Sequence, residues 1–191
     1  MKKMTLLILA LSLVLVVGGC LTGKKVEYTK VLQVSDDTQL YTAYNIWYEI
    51  PWQISSINYH KGKIIPFGEP IKIISIEGNS ITFKRISTGT QYTLVYHERF
   101  GLKPIEDFVK QLFTTKNSSA LAEGITLPVL KKINAGVVEK GFTRKEVELT
   151  YGPPSPHRTP LKEGNTWIYW KNRFATMRVV FKDDKVESII L

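Results

Sequence analysis

The chain has 191 residues, and 26 lysines and arginines against 17 aspartates and glutamates give it a net charge of +9. Hydrophobic residues make up 43% and charged residues 23%, a balance that excludes a disordered tail, a collagen-like rod and a polytopic membrane protein. A single cysteine excludes an intrachain disulfide framework and any cysteine-only metal site.

The first twenty residues read as an export signal. Lys2 and Lys3 form a positive start, Thr5 to Val17 is an apolar run, and Gly18 and Gly19 precede the only cysteine, Cys20. The run is shorter than the roughly 20 residues a spanning helix needs. Val17-Gly18-Gly19-Cys20 resembles the bacterial lipobox. That resemblance implies a lipidated cysteine, with residues 1–19 removed as a lipoprotein signal peptide. Acyl chains, palmitate among them, would then anchor the protein at roughly 0.8 kcal/mol per buried methylene. Leu21 follows, with no acidic residue beside the cysteine. In an enteric-type envelope this implies the outer membrane, facing the periplasm. Loss of Lys2 and Lys3 lowers the charge from +9 to +7, with no block of like charges. A mildly basic surface suits anionic headgroups or glycan, and export leaves no nucleic-acid partner.

Residues 20–39 read as the lipidated N-terminus and a polar tether, with a short strand at 31–34. Fully extended, such a tether would span on the order of 60 Å. Residues 40–120 read as a small β-rich domain. Leu40–Tyr48 is aromatic-rich, Pro51 interrupts it, and Ile54–Tyr59 follows. His60-Lys61-Gly62-Lys63, Gly78-Asn79 and Thr88-Gly89 mark turns between strands. Ile71 and Ile73 stand one step out of phase with Ile74 and Ile76 within one strand. The strand lengths resemble those of an SH3-like barrel. Pro104 then opens a helix over 105–113, with Ile105, Phe108, Val109 and Leu112 on one face.

Residues 121–191 change character. Leu127–Ile133 reads as a short helix stopped by Gly136. Thr143 and Glu146 have capping-box spacing, and Phe142 and Val147 that of a hydrophobic staple. Gly152 ends this second helix in a left-handed conformation, and Pro153-Pro154 prevent its resumption. Strands are expected over 166–170, 177–181 and 186–191. The expected fold class is α+β: a small antiparallel β barrel or sandwich unit with one helix, followed by an ααβββ two-layer domain. Trp167 and Tyr169 alternate with Ile168 and Trp170, so one pair faces the helices and the other faces outward; Trp170 either covers a loop or packs on the β unit, or, if exposed, offers a contact.

This second unit resembles the outer-membrane lipoproteins of the BamE, or SmpA/OmlA, family over about residues 130–191. The resemblance lies in Gly141-Phe142-Thr143 with Glu146-Val147, Tyr151-Gly152-Pro153-Pro154, Asn165-Thr166-Trp167-Ile168-Tyr169, Val179-Val180-Phe181 and Asp184-Lys185-Val186 with Ile189. It implies a non-catalytic envelope protein acting through protein–protein contacts, with a β-barrel assembly complex as the partner. The matched residues form the fold, so no binding residues carry over. The long segment ahead of the matched unit has no place in that pattern, which leaves its partner open.

No catalytic pattern emerges. His60, His97 and His157 lie far apart without metal-ligand spacing and read as surface or loop histidines. There is no nucleophile elbow and no phosphate loop, so no catalytic, metal-binding or cofactor-binding residue is assigned. Tyr41, Tyr44, Trp47, Tyr48, Trp52 and Tyr59 form the most unusual local run. It reads as aromatic core, or else as a stacking surface for sugar or peptide. Two alternatives to an assembly factor follow: a peptidoglycan- or peptide-binding module, and an inhibitor of a secreted enzyme.

Overall fold

A computed structural model describes residues 24–191, so the leader and Cys20 lie outside the described residues. The chain is α+β, built around a curled six-stranded sheet. In chain order it runs α1 (Tyr28–Leu32), β1 (Leu40–Thr42), β2 (Ile46–Tyr48), β3 (Ile54–Ser55), β4 (Lys63–Ile65), β5 (Pro70–Glu77), β6 (Ser80–Arg85) and β7 (Gln91–Val95). Then come α2 (Glu98–Gly101), α3 (Ile105–Leu112), β8 (Phe113–Thr114), α4 (Ser118–Leu121), α5 (Leu127–Asn134), α6 (Arg144–Tyr151), β9 (Thr166–Trp170), β10 (Thr176–Lys182) and β11 (Lys185–Ile190).

The large sheet has the order β3-β7-β6-β5-β1-β8, and β2 pairs with β4 separately. The out-of-phase isoleucines of β5 have a simple cause. The register shifts between Ile73 and Ser75, so Ile74 bulges outward while Ile71, Ile73 and Ile76 stay buried. Helix α3 presents Phe108, Val109 and Leu112 to this core, as the spacing predicts. Its end differs: Phe113 turns extended and, with Thr114, pairs with β1.

Residues 24–39 are not a free tether over their described part. Val26 is buried, and its N–H donates to the Ile76 carbonyl (2.9 Å), while Gly78 N–H donates to the Lys24 carbonyl (3.1 Å). In place of the expected strand at 31–34, Val31 and Leu32 end α1 and Gln33 caps it in the left-handed region. Tyr28, Val31 and Leu32 stand at i, i+3 and i+4, and all three pack on the β core. Helical spacing thus overrides the strand preference of the β-branched valine.

The second core gathers α5 and α6 against the antiparallel sheet β11-β10-β9. Thr143 caps α6 in both directions: its Oγ1 accepts from Glu146 N–H (3.3 Å), and its own N–H donates to the Glu146 carboxylate (2.6 Å). Phe142 and Val147 are buried in the same core. Gly152 has φ +78° but ψ 177°, an extended conformation open to glycine, and not the expected left-handed cap. Trp167 and Tyr169 are buried with Ile133 and Val147. Phe67, from the β-rich half, belongs to this second core as well.

Candidate functional site

The most distinctive polar construction lies on the seam between the two cores, where residues 44–60 receive the C-terminus of α6. A helix ends with four carbonyls that have no partner within it. Here Gly152 N–H takes the Glu148 carbonyl (2.8 Å) and Asn45 N–H takes that of Leu149 (2.9 Å). The Trp47 indole N–H points at the Thr150 carbonyl (3.4 Å). The Tyr151 carbonyl accepts twice, from Asn58 Nδ2 (2.9 Å) and His60 Nε2 (3.2 Å). Three of the four carbonyls are therefore satisfied by a segment about ninety to a hundred residues upstream in the chain.

Two asparagines hold that segment in shape. Asn45 is fully buried; its Nδ2 donates to the Ile133 carbonyl of α5 (2.7 Å) and its Oδ1 accepts from Phe67 N–H (2.9 Å). Asn58 sits at φ +56°, in the left-handed region that asparagine tolerates. Its Oδ1 accepts from Trp47 N–H (2.8 Å), and its Nδ2 also donates to the Asn45 carbonyl (3.1 Å). Close approach is secured by two glycines. A Cβ on Gly152 would stand 2.9 Å from the Tyr44 ring, and one on Gly136 would overlap the Trp47 ring.

His60 occupies an aromatic box. Its ring stacks on Tyr151 (4.1 Å between centroids) and is flanked by Tyr169 at 5.4 Å and Trp47 at 5.5 Å. Nε2 donates to the Tyr151 carbonyl, and Nδ1 is buried without a hydrogen-bond partner among the described residues. Burial lowers its pKa from 6.5 to about 4, so the imidazole is neutral at physiological pH. Of the surface and loop positions expected for the histidines, His60 takes the loop one, between β3 and β4, with its ring turned into the box. His97 and His157 both lie edge-on to Phe100. Among the described residues no group of three or more His, Cys, Asp or Glu could hold a metal ion.

Trp170 lies on this seam too. Its carbonyl accepts from His60 N–H (3.2 Å), its ring stands 6.3 Å from Phe100, and the Arg158 guanidinium covers it at 4.9 Å. Trp170 thus packs both on Phe100 of the β-rich half and under Arg158 of the loop that precedes β9. The crevice bounded by Tyr44, Asn58, Phe100, Pro153 and Trp170 has a volume of about 40 Å³. That is room for a water or two, and far below a small-molecule site.

The six aromatics at 41–59 do not form one open face. Tyr44 is buried, Trp47 belongs to the seam, Tyr48 packs edge-on against Tyr92 (5.2 Å), and only Trp52 is exposed. Cys20, the one residue to which the sequence assigns a role, lies outside the described residues. Sequence reading missed Asn45 and Asn58 and saw His60 only as a surface or loop histidine; the signal within reach was the density of side-chain amides and aromatics in the loops between β1 and β4.

Comparisons of this chain with protein-family models, with curated proteins and with solved structures found no match.

Proposed function

We propose that this protein is a bacterial envelope lipoprotein, anchored through acylated Cys20 and acting without catalysis as an assembly or scaffold factor. The observation that carries the reading is Val17-Gly18-Gly19-Cys20 behind a charged, apolar leader. The finer architecture proposed is an SH3-like β unit joined to a BamE-like ααβββ unit, on the outer membrane and facing the periplasm. The seam supports a scaffold role. Buried amides and an apolar aromatic box weld two cores, and fixed relative orientation is what a protein presenting two surfaces to partners requires. The partner proposed is an envelope protein assembly such as the β-barrel assembly complex.

The test is in vivo crosslinking of the natively expressed protein, followed by identification of the crosslinked species. Recovery of barrel-assembly subunits supports the proposal. Crosslinking to peptidoglycan, or a stoichiometric complex with a secreted hydrolase, replaces it with one of the alternatives.

A further inference from the structure

We infer that one edge of the β-rich unit lies against the lipid headgroups: the β5–β6 turn at Gly78-Asn79, together with Lys24, Lys25 and the exposed Leu102. The inference rests on the acylation of Cys20 proposed above, and adds what the docking of residues 24–26 imposes on it. Lys24 is fixed to the turn by the Gly78 N–H bond, Lys25 bridges to Glu77, and Val26 is bonded to Ile76. Lys24 also reaches Glu106 at the start of α3 (3.6 Å). Three residues separate Lys24 from Cys20, and the four steps from one to the other span at most about 14 Å. An acyl chain on Cys20 must enter the bilayer, so this edge cannot stand farther from the headgroups than that leash permits.

The edge is suited to the position. Leu102 is 63% exposed on the loop between α2 and α3. That loop is tied to the turn through Tyr96, whose N–H donates to the Asn79 carbonyl (2.7 Å) and whose hydroxyl donates to the Lys103 carbonyl (2.6 Å). Glu77 and Glu106 share the edge with Lys24 and Lys25, so these four charges balance. The leash therefore holds the edge near the headgroups and an apolar residue completes the contact, with little dependence on anionic lipid. The opposite end of the β6 strand, with Thr88 in the β6–β7 turn, is held roughly 20 Å away.

The unique cysteine allows the test to bypass native processing. The chain from Cys20 to Leu191 is coupled at Cys20 to a maleimide phospholipid in phosphatidylcholine vesicles. The photo-crosslinking residue p-benzoylphenylalanine replaces Asn79, Leu102 or Thr88, one at a time, and lipid adducts are counted by mass spectrometry. Adducts at 79 and 102 are expected to exceed those at 88 several-fold. A twenty-residue Gly/Ser insertion after Cys20, with a root-mean-square span of about 25 Å, is expected to erase most of that difference. Equal labelling at 79, 102 and 88 with the native spacing overturns the inference, as does a difference that survives the insertion. Because the lipid is supplied chemically, failure here is distinct from finding that native Cys20 is unmodified.

Discussion

Asn58 is the residue whose replacement tests the seam most cleanly. It accepts one hydrogen bond from Trp47 N–H, donates two to carbonyls, and holds the backbone at φ +56°. Each such bond contributes about 1 kcal/mol net, and the left-handed backbone costs a residue with an ordinary Cβ a further 1 kcal/mol or so. Asn58→Gly keeps the backbone and loses the three bonds, about 3 kcal/mol. Asn58→Ala adds the strain, about 4 kcal/mol. Asn58→Asp keeps the acceptor but turns a carboxylate oxygen toward the Asn45 and Tyr151 carbonyls, so it is expected to cost at least as much as glycine despite its identical shape. Urea denaturation of the unlipidated chain from Cys20, followed by tryptophan fluorescence, measures all three. An aspartate variant as stable as the parent, or an alanine variant within about 1 kcal/mol of it, would refute the amide's role.

The neutral state of His60 makes stability depend on pH. Its folded pKa of about 4 lies below the ordinary 6.5, so the unfolded chain binds the extra proton between those values. The contribution is complete above pH 6.5 and is lost as pH falls toward 4, at most about 3 kcal/mol in all. His60→Phe should flatten that slope in denaturation curves taken across the window. Gly136 and Gly124 both have positive φ, but a Cβ on Gly136 meets the Trp47 ring whereas one on Gly124 meets nothing within 4 Å. Gly136→Ala should therefore lower stability by about 3 kcal/mol or more, and Gly124→Ala by only about 1 kcal/mol, in thermal or urea melts. Thr143→Ala removes one direction of the α6 capping box and should cost about 1 kcal/mol in the same assay.

What the sequence made legible was local. The Thr143–Glu146 box, the apolar face of α3, the turns at Gly78 and Gly89, and the phase slip among the β5 isoleucines all depend on residues within a few positions of one another. The seam was not legible because its bonds join residues far apart: Asn45 to Ile133, Trp47 to Thr150, His60 to Tyr151. Periodicity shows that Trp47 and Tyr151 have an apolar side; it does not show that one caps the helix to which the other belongs. β8 escaped because two residues carry no pattern of their own, and Phe113 falls within the helix expected over 105–113. α1 escaped for the opposite reason: Val31 favours a strand by type, and only the contact of Tyr28, Val31 and Leu32 with the β core reveals the helical face.

The lipid on Cys20 underlies the proposed location, the proposed mode of action and the orientation of the body on the membrane. Intact-mass spectrometry of protein extracted with detergent from its own host addresses it directly. The predicted species begins at Cys20 and carries a diacylglyceryl group on sulfur. A chain that retains Met1–Gly19, or one that begins elsewhere with a free Cys20 thiol, would contradict the account.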